Sequence, residues 1–146
     1  MDRLFLDANV LVAAAWKESA RVRRLWELRN VELVASTYAA AEAARNLPDE
    51  DRRALYEKLI ESVRVVSEMG DLAKSAVRLP GDLSLPDDDL PILLSAIEAG
   101  ATHLITGDFR HFGKHFDREI AGVRILPPAE YLRSRGKQGA SPPTAP

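Results

Sequence analysis

Four carboxylates, Asp7, Glu42, Asp89 and Asp108, are the residues of this chain whose type and spacing can do chemistry together. Asp7 closes the apolar run Leu4 to Leu6, and Asp108 follows the run His103 to Thr106 across Gly107. Glu42 stands about one turn into an alanine-rich stretch, and Asp89 ends the triplet Asp87-Asp88-Asp89. Carboxylates brought within a few ångströms of one another repel, and either protonation or a bound cation must relieve the repulsion. Mg²⁺ takes oxygen ligands and keeps several waters, and Mn²⁺ accepts the same donors. The chain has no cysteine and three histidines that stand apart from the acids in sequence, so softer or imidazole-based metal sites are disfavoured. One or two hard ions held by such a set would activate a water for in-line attack on a phosphodiester. Hydrolysis of a nucleic-acid backbone is the chemistry implied.

Stepping along the chain shows how these residues could be positioned. Leu4 to Leu6 reads as a strand, and Val10 to Trp16 with Val22, Leu25, Trp26 and Leu28 reads as a helix after it. Glu32 to Ala35 is a second strand, and Ser36 or Thr37 can cap the helix Tyr38 to Arg45. Asp49 opens a helix through Ile60, and Val63 to Val66 is a β-branched third strand. A further helix is expected from Asp71 to Leu79. A loop containing Pro80 and Pro86 then delivers the chain to the aspartate triplet, which heads a helix lined by Leu90, Leu93, Leu94 and Ile97 and ended by Gly100. His103 to Thr106 and Val123 to Leu126 are the fourth and fifth strands, and Pro128 to Arg133 is a closing helix. The boundaries expected are one domain over residues 1–135 and a disordered Gly-, Ser- and Pro-rich tail over 136–146.

Alternating strands and helices predict an α/β fold with a mainly parallel sheet of about five strands and helices on both faces. Ligands of such folds bind beyond the carboxyl ends of the strands, where strand order reverses. Asp7, Glu42 and Asp108 follow strands one, two and four, and Asp89 begins a helix that returns from that edge. All four converge if strand one lies between strands two and four. Taken singly, each acid has an ordinary role: Asp7 with Asn9 as a helix cap, Glu42 as a solvated helix residue, the triplet as a helix start and Asp108 as a turn residue. Their shared edge is what favours a site.

The segments LDANV, Ser36 to Glu42, and DDDLPILLSAIEAGATHLITGD together resemble the PIN-domain ribonuclease family over residues 1 to about 126. The resemblance implies Asp7, Glu42, Asp89 and Asp108 as ligands of Mg²⁺ or Mn²⁺ and as catalytic residues. It implies supporting roles for Asn9, Ser36, Thr106 and Asp88, an RNA substrate, and the toxin half of a VapBC-type toxin–antitoxin pair, whose antitoxin would be the partner. The chain departs from the family at Pro86, where relatives often have an acid, and at Leu90, where they have asparagine. Asp87 and Asp88 can compensate for the first.

Other residues admit two readings. Arg110, Lys114 and Arg118 could hold an RNA backbone or form a solvated loop. His111 and His115 share a helix face, yet Phe109, Phe112 and Phe116 between them point to packing rather than a metal pair. Arg21, Arg23 and Arg24 are expected to face water, and Trp16 and Trp26 to pack rather than stack bases. A binding module that does not cut is the alternative to a nuclease. An aspartyl phosphotransferase fits less well, because Asn9 stands where a second aspartate would be wanted. Net charge is −2, hydrophobic residues make up 46%, and no run suits a signal peptide or membrane span, so a cytoplasmic globular protein is expected. The apolar residues of the first two helices make a homodimer plausible.

Overall fold

The structure, a computed structural model, describes residues 1–67, 79–86 and 89–140. Six strands form one sheet among them: β1 (Asp2–Leu6), β2 (Val31–Ser36), β3 (Val63–Val66), β4 (His103–Ile105), β5 (Glu119–Ile120) and β6 (Val123–Leu126). The helices are α1 (Ala8–Trp16), α2 (Thr37–Arg45), α3 (Glu50–Ile60), α4 (Leu90–Glu98), the single turn α5 (Phe109–Phe112) and α6 (Pro128–Ala140), with 3₁₀ turns at Arg21–Glu27 and Gly113–His115. The spatial order is β3-β2-β1-β4-β6-β5. β1 therefore lies between β2 and β4, parallel to both, with Leu4 opposite Leu33 and His103.

Strand alternation divides the core in two. Leu4, Leu6, Leu33, Ala35 and Ile105 point to one side, where α1, α2 and α3 cover them. Phe5, Val34, Leu104 and Ile125 point to the other, under α4 and Phe112. Both faces are buried, which is why β1 and β2 read as nearly continuous apolar runs.

Three local expectations are corrected. The first helix does not run on from Trp16 to Leu28: Lys17 is extended, and residues 21–27 resume as a 3₁₀ helix that buries Val22 and Leu25. The sheet has six strands rather than five because Ala121 and Gly122, both at positive φ, turn β5 back antiparallel onto β6. Two successive left-handed residues suit the right-handed twist of a tight hairpin. The closing helix continues to Ala140, through residues expected in the tail. Lys137, Gln138 and Ala140 are good helix formers, and Gly136 and Gly139 cost only about 1 kcal/mol each. The helix expected at residues 71–79 lies, but for Leu79, outside the described residues, as do 141–146. Among the described residues no helix is long and apolar enough to cross a membrane.

Candidate active site

Asp7 leaves the carboxyl end of β1 and caps α1. Its Oδ1 accepts the Ala8 N–H at 2.8 Å, and its Oδ2 accepts the Thr106 hydroxyl at 2.8 Å and the Asn9 side-chain amide at 3.0 Å. Thr106, fully buried just after β4, also accepts the Asp108 N–H at 3.1 Å. Asn9 in turn accepts the Gly107 N–H at 2.7 Å. These bonds tie the ends of β1 and β4 together through side chains. A Cβ at residue 107 would lie 3.2 Å from Asn9 Oδ1, so glycine lets the two segments approach. Asp7 is only 5% exposed. Burial pushes its carboxyl pKa up, against the hydrogen bonds from Thr106 and Ala8, with the nearby Asp108 charge adding to the rise and Asn9 opposing it.

Periodicity supplies the walls. On α1, Asn9, Val12, Ala13 and Trp16 form one stripe, and Tyr38 and Glu42 on α2 with Asn46 at its C-cap form another at intervals of one turn. Both stripes line a cleft of about 590 Å³ together with Asp7, Asp89 and Asp108. Ser36 caps α2, accepting the Ala39 N–H at 3.0 Å. Ala39 and Ala43 are buried on the adjoining stripe, and their small side chains bring α2 close to its neighbours while Glu42 stays half-exposed in the cleft.

Asp89 precedes α4, whose Pro91 has no N–H to leave unsatisfied in the first turn. The Pro86 carbonyl accepts the Asp89 and Leu90 N–H groups at 2.9 and 3.2 Å, which sets the approach into this helix. Asp108 caps α5, accepting the His111 N–H at 3.1 Å. The His111 ring then sits between two carboxylates, its Nδ1 2.7 Å from Asp89 Oδ2 and 2.9 Å from Asp108 Oδ2. The three offer ligand atoms within 4.8 Å of one another.

The structure thus brings Asp7, Glu42, Asp89 and Asp108 to one cleft, with Asn9 on its wall and Thr106 beneath it. Ser36 is buried and acts as a helix cap outside that lining. Asp87 and Asp88 lie outside the described residues. Arg110 and Lys114 are exposed, whereas Arg118 is engaged by Asp82 at 3.1 Å and by His115 Nδ1 at 3.1 Å. His115 does not pair with His111, being buried with Nε2 3.1 Å from the Ser84 carbonyl. Trp16 is 44% exposed at the cleft, with the Arg52 guanidinium 4.2 Å from its ring centre. The sequence reading of His111 as a packing residue missed its place between Asp89 and Asp108. Its position three after Asp108 on a helical turn was the available signal.

The model of the PIN domain family matches residues 3–110. No curated protein matches the chain. Among solved structures, VapBC2 from Rickettsia felis bound to a DNA fragment from its promoter is similar with a TM-score of 0.63 at 17% identity, over 86% of this chain and 98% of that one. VapBC-1 from nontypeable Haemophilus influenzae gives 0.53 at 20% identity, over 87% and 98%. VapC20 from Mycobacterium tuberculosis, a toxin that cleaves the sarcin-ricin loop, gives 0.51 at 20% identity, over 73% and 92%. At these identities the likeness is one of fold. The family match spans most of the chain and takes in β1, the central pairing with β4 and the aspartates at their ends, and on that ground the chain belongs to the PIN domain family.

Proposed function

We propose that this chain is a metal-dependent endoribonuclease, and that it is the toxin of a toxin–antitoxin pair. The observation that carries the reading is the gathering of Asp7, Glu42, Asp89 and Asp108 around one open cleft at the carboxyl edge of the sheet. Membership of the PIN domain family supports it, and so does the fold shared with a toxin that cleaves the sarcin-ricin loop and with two VapBC structures.

The donor set suits a hard divalent cation, because carboxylate oxygens dominate it and no thiolate is present. Asp7, Glu42, Asp89 and Asp108 would hold Mg²⁺ or Mn²⁺, which when bound polarises a phosphate oxygen and makes a water nucleophilic near neutral pH. The chain's own part is preorganisation. Thr106, Asn9 and the Ala8 N–H fix Asp7 in one rotamer before any ligand arrives. Glu42, half-exposed on α2, adds its carboxylate from the facing wall of the cleft. The His111 ring occupies the space between Asp89 and Asp108, its Nδ1 within 2.9 Å of an oxygen of each but with no hydrogen bond of good geometry, so a ligand entering there would find an unmet nitrogen.

That same histidine favours the second reading, a module that binds RNA or protein without cutting, since its ring fills the space between two of the carboxylates. The test is cleavage of a mixed panel of single-stranded RNA and DNA with Mn²⁺ or Mg²⁺, controlled by EDTA and by Asp7→Asn. RNA cutting lost in both controls is the expected result. Absence of cutting by folded protein, with no rise in melting temperature on adding Mn²⁺, would overturn the nuclease in favour of the module. Expression of the chain alone is expected to arrest growth, and a neighbour-encoded protein to relieve the arrest; normal growth would remove the toxin role.

A further inference from the structure

We propose that the groove beside the acidic cleft, between the 3₁₀ helix at Arg21–Glu27 and the start of α6, holds the single strand of nucleic acid that continues from the cleavage point. Arg21 and Arg24 would take its phosphates, and Phe109 would stack an unpaired base. The inference rests on the nuclease reading above and extends it to the substrate's path.

Three observations carry it. First, the groove adjoins the cleft through adjacent residues. Asp108 lines the cleft, while its chain neighbours Gly107 and Phe109 line the groove, a space of about 480 Å³ bordered also by Pro127 and Leu132. A strand leaving Asp108 on that side meets the groove at once. Second, the charge there is uncommitted. The 3₁₀ helix turns Val22 and Leu25 inward, and because residues three apart eclipse in such a helix, Arg21 and Arg24 fall on one stripe. Both are exposed and line the groove, and among the described residues neither has an acidic partner. Arg133 on the far wall, by contrast, is paired with Glu130. Third, Phe109 is 68% exposed, yet its ring is braced edge-on by Phe116 at 5.1 Å between centres. A fixed, exposed aromatic face beside free guanidinium groups is the arrangement that binds single strands, with stacking for the bases and charge for the backbone. It also answers an electrostatic difficulty. A chain of net charge −2 with four acids at its centre needs a basic approach for a polyanion.

Arg21 and Arg24, rather than Arg118, thus become the cationic contacts, Arg118 being occupied by Asp82. The test measures binding of a fluorescent ten-nucleotide RNA of mixed sequence, single-stranded or annealed to its complement, to the full chain carrying Asp7→Asn. With Mg²⁺ present, affinity is followed across salt concentrations. Arg21→Ala with Arg24→Ala is expected to weaken single-strand binding and to flatten the salt dependence by about 1.4, twice the ~0.7 per phosphate of a single strand. Phe109→Ala should cost about tenfold, with Phe109→Trp restoring the affinity and the duplex gaining nothing from either aromatic. Thermal melting checks that each variant folds. An unchanged affinity and salt slope in the double arginine variant would overturn the proposal. Since the assay reads binding alone, RNA held through these arginines but never cut by the parent chain would leave the groove standing and remove the nuclease. Cutting by the parent with no effect of the arginines would do the reverse.

Discussion

The two edges of the sheet are made from similar residues and treated in opposite ways. At the amino edge the charges are paired. Arg3 meets Glu32 and donates to the Ala99 carbonyl, Arg64 also reaches Glu32, and the Tyr131 hydroxyl donates to Asp2 at 2.6 Å. Thr102 closes this edge by accepting the Arg3 N–H and lying 2.8 Å from His103 Nδ1. At the carboxyl edge four acids face a cleft with one histidine between two of them. The first arrangement balances charge locally and holds the ends of strands. The second leaves an excess that only a ligand can balance, and such excess is the physical mark of a working site. The contrast separates residues that keep the fold from residues for which the fold is kept.

Substitutions can break or sharpen that contrast. The largest effect is expected from Asp7→Asn, which should lower RNA cleavage by at least about a hundredfold and leave the protein folded, the loss of one of two accepting oxygens costing about 1–3 kcal/mol against the relief of a buried charge near Asp108. Cleavage kinetics and thermal melting together check it, and a collapsed fold would show that Asp7 belongs to the structural class. Thr106→Val comes next. It keeps shape but deletes the hydroxyl that serves Asp7 and Asp108, leaving buried polar groups unmet at a cost of about 1–3 kcal/mol, measurable by urea unfolding, along with weaker cleavage. Arg3→Ala should cost about 1 kcal/mol in the same unfolding assay and leave cleavage by the folded protein unaltered, the converse of Asp7→Asn. Smallest is a pH effect at the amino edge. Burial holds the His103 pKa below its usual value, with Arg124 acting the same way and Asp2 and Glu119 opposing. Folding therefore favours the neutral ring: its contribution is present above about pH 6.5 and is lost as the pH falls toward the folded value. Melting measured from pH 7.5 to 5 should decline less steeply in His103→Gln than in the parent.

Much of this architecture could be read from residue patterns because the decisive features are local. Leu4 to Leu6 followed by Asp7, and Ser36 ahead of an alanine-rich helix, declare a strand, a turn and a cap in a few residues each. Their convergence followed from the general placement of ligands at the carboxyl edge and required only that β1 be central, as it is. What escaped the sequence depends on distant packing. β5 is two residues long and exists because β6 offers it a partner. Arg21 and Arg24 look like ordinary surface charges until the 3₁₀ helix is packed beside α6. His111 has one neighbour, Asp108, close in sequence, but its other, Asp89, arrives from 22 positions away.

The central pairing of β1 with β4 also orders events in time. Leu4 finds its partner His103 only after nearly a hundred residues of intervening chain, a long closure that slows folding relative to local contacts. During synthesis, β2 can add beside β1 early, yet Thr106 and Asp108 do not exist until the chain has grown past them. Asp7 then stands without its principal hydroxyl donor, and the cleft lacks its last acid. The cleft is consequently incomplete until the domain is nearly finished, a delay written into the strand order itself.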